Sequence, residues 1–63
     1  MKFLVWPSAG SIRVIQAVDE AEALSKAWGY YQPQEEDKLS LLPPTGSIRR
    51  FRAQDGVWKL HSE

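Results

Sequence analysis

The alternation of apolar and polar positions is clearest at the C-terminal end, in Arg49–His61, RRFRAQDGVWKLH. Asp55-Gly56 is among the strongest short hairpin signals, because a two-residue type I′ loop needs positive φ at both positions. Centring the turn there pairs Gln54 with Val57, Ala53 with Trp58, Arg52 with Lys59, Phe51 with Leu60 and Arg50 with His61. Paired residues share a sheet face and neighbours alternate between faces. Phe51, Ala53, Trp58 and Leu60 therefore fall on one side, and Arg50, Arg52, Lys59 and His61 on the other. The pattern predicts a hairpin with an oily face and a cationic face, a separation that a one-residue slip would scramble.

Upstream the pattern changes period. Lys2–Trp6 is a short apolar run closed by the turn formers Pro7-Ser8-Ala9-Gly10. Ser11–Ala17, SIRVIQA, is rich in β-branched residues and reads as a second strand antiparallel to the first. Val14 and Ile15 are adjacent and break its alternation, which implies either a central strand covered on both faces or a bulge. Asp19 then opens a helix, with Glu22 at capping-box spacing and acids where the helix dipole favours them. Ala21, Ala23, Leu24, Ala27 and Trp28 form its apolar arc opposite Glu22, Ser25 and Lys26, and Gly29 is the natural stop. Tyr30–Lys38 is a polar loop broken by Pro33, Leu39–Leu42 a third strand, and Pro43-Pro44-Thr45-Gly46 the clearest break before the hairpin.

The expected fold class is α+β: one small domain over residues 1–63, element order β-β-α-β-β-β, an antiparallel or mixed sheet with one helix packed on one face. A helix of about ten residues is marginal alone and must dock on that sheet. The expected core is Phe3, Val5, Ile12, Val14, Ile15, Leu24, Trp28, Leu39, Leu41, Phe51, Trp58 and Leu60. With the Phe51/Trp58 side against Leu24 and Trp28, Arg50 and Arg52 are left outside.

Composition sharpens this. A chain of 63 residues buries only about 60% of its unfolded surface, and without cysteine no disulfide supplements the core. Three tryptophans, two tyrosines and two phenylalanines must supply much of the buried area. Eight basic residues balance eight acidic ones, which argues against a general polyanion binder. The charges are segregated, however: six of the eight acids lie in Asp19–Glu22 and Glu35–Asp37, while five of the eight basic residues, Lys38, Arg49, Arg50, Arg52 and Lys59, fall from Lys38 onward. Such asymmetry suggests a partner-facing surface. No long apolar run marks a membrane span, and a cytoplasmic protein is expected.

Enzymatic chemistry lacks its parts. His61 is the only histidine and sits near the end of the chain, no serine lies in a nucleophile elbow, and one histidine without cysteine does not make an ordinary zinc site. Glu35, Glu36 and Asp37 lack the alternate spacing of calcium loops, and Gly10 and Gly46 lack phosphate-loop spacing. The reading is of a non-enzyme with no cofactor and no metal.

The candidate site is the cationic face: Arg50, Arg52 and Lys59, with Arg49 beside them. Arg52 opposite Lys59 is a like-charge pair, which costs stability unless something neutralises it. Either Glu35, Glu36 or Asp37 does so within the chain, or an acidic partner or phosphate does so from outside. Arginine suits forked recognition of carboxylates or phosphates, and a β-ribbon can enter a major groove. Tyr30 and Tyr31, with Trp6, form a second candidate as aromatic anchors; the alternative is that Tyr30 and Trp6 cap the open end of a small core.

Glu22-Ala23-Leu24, followed by Ala27, Tyr31, Pro33 and Pro43, with Lys2-Phe3 in the first strand and Ile15 and Ala17 before the helix, resembles the podovirus gene-2-type inhibitors of bacterial RNA polymerase over about residues 2–43. That resemblance implies a β-β-α-β core and a protein that occupies a host surface. Ser40 and Leu42 stand where the family carries basic side chains on the strand after the helix, and the arginines lie instead in the extra hairpin, so no functional residue of the family carries over. The layout is also similar to some anti-CRISPR proteins. The expectation is a small phage or mobile-element protein that inhibits a host protein or ribonucleoprotein complex by covering a functional surface. Alternatives are a nucleic-acid-binding module using the same face and a self-associating structural subunit.

Overall fold

Along Lys2–Pro7, the first strand (β1), buried Phe3, Val5 and Pro7 alternate with Lys2, Leu4 and Trp6 on the opposite face, in a computed structural model that describes residues 1–8 and 10–61. The chain returns as β2 (Arg13–Gln16), antiparallel, with Phe3 opposite Ile15 and Leu4 opposite Val14. After the helix α1 (Glu20–Tyr31), β3 (Lys38–Leu42) lies on the other side of β1, with Val5 opposite Leu41. Strands β4 (Arg49–Gln54) and β5 (Val57–Leu60) complete a five-stranded, wholly antiparallel sheet in the order β2-β1-β3-β4-β5.

The order β-β-α-β-β-β in one small domain is the one expected. Lengths explain why it closes. Twelve helical residues rise about 18 Å, close to the span of a strand of five or six residues. The helix therefore carries the chain from the end of β2 back to the level where β3 starts, and Gln32–Asp37 suffice as a connection.

The helix begins as the spacing predicts. The Glu22 N–H donates to Asp19 Oδ1 at 2.9 Å, and Glu22 Oε1 accepts from the Val18 N–H at 2.9 Å, one residue earlier than in the usual capping box. It ends differently. The helix runs through Gly29, and Gln32 adopts the left-handed cap (φ 45°, ψ 60°), its N–H bonded to the Trp28 carbonyl at 2.9 Å. Pro33 follows at once; it cannot continue a helix and disfavours helical geometry in the residue before it. That constraint outweighs the preference for stopping at glycine.

One face of the sheet carries the core. Phe3, Val5, Ile15, Ala17, Leu39, Leu41, Phe51 and Ala53 are buried there, closed over by Ala23 and Ala27 of α1. The two helical alanines, four residues apart, are fully buried because their small side chains let the helix settle onto the strands. Leu24, Tyr31 and Trp58 are half-buried around this centre, and Trp28 meets Trp58 edge-on at 5.3 Å between ring centroids. Three expected core members are not in it. Ile12, Val14 and Leu60 are exposed. The strand containing Val14 is neither central nor covered on both faces but an outer one, so its second apolar side chain meets solvent.

The hairpin has the expected register. Asp55 (φ 55°) and Gly56 (φ 80°) form the turn, every pair from Gln54–Val57 to Phe51–Leu60 is present, and the His61 N–H donates to the Arg50 carbonyl at 2.8 Å. Phe51 is buried and Arg50 exposed on the other side.

Candidate functional site

Because α1 covers one side of the sheet, the other side is an open platform. Cross-strand pairing arranges it in rows: Val14–Leu4–Leu42 at the β2 end, then Trp6–Ser40–Arg50, then Lys38–Arg52–Lys59 toward β5. The platform is thus apolar at one end and cationic at the other, with Trp6 at the boundary. Trp6 is 58% exposed and Val14 64%. Exposed Ile48, just before β4, joins Trp6, Ser40, Lys38 and Arg50 around a shallow hollow of about 360 Å³. Large apolar side chains gathered on one surface, unlike scattered ones, mark interaction sites.

The like-charge pair Arg52–Lys59 is neutralised within the chain. Glu36 Oε1 lies 3.5 Å from Arg52 Nη1, and Asp55 Oδ2 lies 2.9 Å from Lys59 Nζ. Glu36 is held in place by backbone geometry. Its φ is 73°, its N–H donates to the Ala53 carbonyl at 2.8 Å, and the Ala53 N–H donates to the Asp37 carbonyl at 2.8 Å. The acidic loop therefore prolongs the β3–β4 ladder and delivers Glu36 beside Arg52, where Gln54 Nε2 also donates to it at 3.1 Å. Asp37 turns away to accept the Gln34 N–H at 2.9 Å. Arg52 Nη2 donates to His61 Nδ1 at 2.9 Å, so its guanidinium is engaged on two sides. The exposed Lys59–Asp55 pair is worth roughly 0–1 kcal/mol and yields readily to a partner.

Other candidate residues lie elsewhere. Arg49 is on the helix side of the sheet, because it shares the parity of Phe51; its guanidinium carbon is 6.0 Å from the Phe51 ring and its Nε 3.4 Å from Glu20 Oε2. Tyr30 and Tyr31 end α1, also on that side. Arg13 lies over the Tyr30 ring at 4.8 Å, and the Tyr31 hydroxyl donates to the Ser11 carbonyl at 2.8 Å. Burial pushes the Tyr31 phenol above its ordinary value, with the nearby Arg13 guanidinium pulling the other way. Tyr31 thus ties the helix end to the β1–β2 connection. Trp6 does not join the tyrosines; Trp6 and Tyr30 are both exposed, on opposite sides of the sheet, and neither caps the core.

The apolar half of the platform escaped sequence reasoning. Its signal is present: Leu4 between Phe3 and Val5, Val14 beside Ile15, and Leu42 beside Leu41 place apolar residues at both parities of three strands, so one parity must be left uncovered by a single helix. Among the described residues no three of histidine, cysteine, aspartate or glutamate are grouped to hold a metal ion, and no helix is long and apolar enough to cross a membrane. Compared with protein-family models, curated proteins and solved structures, the chain matches none.

Proposed function

We propose that this protein is a non-enzymatic interaction module that binds a protein partner through the open face of its sheet. The observation that carries this reading is the row Trp6–Ser40–Arg50 on the sheet face opposite α1, with exposed Val14 and Ile48 extending it on the apolar side and Lys38 on the cationic side. An indole next to arginine is the composition of interface hot spots. The matching surface is an apolar patch rimmed by carboxylates. In the setting that the phage-inhibitor resemblance suggests, the partner is a cytoplasmic host complex of the RNA polymerase or CRISPR effector type, inhibited because the bound module occupies a working surface. Arg52 and Lys59 contribute at the rim by exchanging Glu36 and Asp55 for acids of the partner.

The test compares wild-type protein with a Trp6→Ala/Arg50→Glu double variant as bait in a bacterial lysate. A partner recovered by the wild type and lost by the variant, and whose activity falls when the purified wild type is added, supports the reading. Equal recovery by both baits overturns it.

Nucleic acid is a second reading, favoured by the exposed Trp6 ring, on which a base can stack beside Arg50 and Lys38. It requires binding of a labelled oligonucleotide that weakens steeply with salt. Absence of a complex at low salt removes it.

A further inference from the structure

We infer that the outer edge of β5, with the groove between it and α1, takes up an extended peptide segment of alternating apolar–acidic–apolar character as a sixth strand. This goes beyond the open-face reading and does not rest on it.

The His61 N–H bonds to Arg50, so by strand alternation Lys59 and Val57 also direct their main-chain groups toward β4. The N–H and C=O groups of Trp58 and Leu60 therefore point out of the sheet, and no residue among those described bonds to them. The opposite edge is treated differently. There the Ala17 N–H bonds to the Met1 carbonyl, which turns Gln16 outward, and Lys26 Nζ from α1 donates to the Gln16 carbonyl at 2.7 Å. The helix thus covers one carbonyl of the β2 edge and, among the described residues, none of the outward groups of β5.

Beside the open edge lies a groove of about 410 Å³, walled by Ala21, Leu24, Ser25 and Trp28 of α1 and by Val57 and Trp58 of β5. Residues directly opposite one another on paired strands share a face. A residue of an added strand that faces Trp58 would thus enter the groove, and one that faces Leu60 would cover that exposed side chain on the same side of the sheet, so apolar character is matched at both. The residue between them would face Lys59 on the open side, at the end of the row Lys38–Arg52–Lys59. Lys59 is held there by Asp55 in an exposed pair at 2.9 Å, and an acid of the added strand competes with Asp55 for the ammonium at little cost. Strand addition of this kind takes affinity from main-chain bonds and specificity from alternate side chains.

Charge also weighs against one register of the second occupant such an edge invites. The two-fold register in which Trp58 of one copy pairs with Leu60 of another, in both directions, would set the two copies' Lys59 side chains directly opposite each other. Lysine on an edge strand discourages that pairing, while an acidic segment relieves it.

The test uses two capped peptides, acetyl-Thr-Val-Glu-Val-Thr-amide and its counterpart with lysine in place of glutamate, added to the isotope-labelled full chain. The expected result is that the Trp58 and Leu60 amide signals move with the glutamate peptide and that the lysine peptide binds about fivefold more weakly or worse. Lys59→Glu should reverse the preference. Ser25→Trp, at an exposed helical position, should fill the groove and abolish binding by both peptides. Unmoved Trp58 and Leu60 amides at millimolar peptide, or equal affinity for the two peptides, overturn the proposal. So does a concentration-dependent dimer that protects the same two amides, which would assign the edge to a second copy of the chain.

Discussion

Replacing Gly29 with alanine tests where the helix ends. Gly29 lies inside α1, its φ is not positive, and a methyl group added there meets nothing within 4 Å. Glycine within a helix costs roughly 0.5–1 kcal/mol relative to alanine, mostly through the freedom it retains in the unfolded chain. Gly29→Ala should therefore stabilise the protein by about that amount, which for a domain of this size raises the thermal midpoint by about 4–8 °C. The companion change is Gln32→Gly. Gln32 holds the left-handed conformation (φ 45°) that glycine adopts without strain, and the gain, less glycine's entropic cost, is about 0.5 kcal/mol. Urea titration and calorimetry of both variants and of the double variant read these quantities. If Gly29 were instead the left-handed stop, Gly29→Ala would destabilise and Gln32→Gly would do nothing. A lowered midpoint for Gly29→Ala would place the helix stop at Gly29.

Asp19→Ala removes the acceptor for the Glu22 N–H and should cost about 1 kcal/mol, seen as a lower urea midpoint with an unchanged slope. Trp6→Ala, on the open face, should leave the thermal midpoint nearly unchanged while it weakens partner binding by about 2 kcal/mol or more; a large loss of stability would mean that this side chain is structural. Tyr31 is protonated more tightly in the folded state than in the unfolded chain, so between the two values the unfolded state binds fewer protons. Stability should then fall as pH rises above about 10, as the bond to the Ser11 carbonyl is lost. Tyr31→Phe should be less stable at neutral pH yet flatter across that alkaline range, by denaturant midpoints taken at several pH values.

The hairpin was legible because its information is local. Asp55-Gly56 sets the turn, the turn sets the register, and the register parts Phe51 from Arg50. The helix start was legible for the same reason, through Asp19 and Glu22. What was not legible depends on neighbours distant in sequence. Val14 and Ile12 look like core residues until the strand order puts β2 at an edge. Leu60 has the parity of Phe51 but lies where α1 does not reach. Ala23 and Ala27 are too small to stand out as a core, yet the approach of helix to sheet is built on them. Within the site, Arg50 and Arg52 share a face as alternation requires, and the same alternation places Arg49 on the other. Glu36 as the partner of Arg52 could be named only as one of three, since the choice rests on a loop whose left-handed residue and ladder bonds have no pattern in the sequence.

Under the proposed mode of binding Trp6 is a contact residue, while Trp28 and Trp58 belong to the helix side. Fluorine spectra of the protein carrying 5-fluorotryptophan resolve the three indoles, with assignments from single Trp→Phe variants. On addition of the partner recovered by the wild-type bait, the Trp6 resonance should shift and broaden while those of Trp28 and Trp58 stay in place. An unmoved Trp6 in a saturated complex contradicts the account.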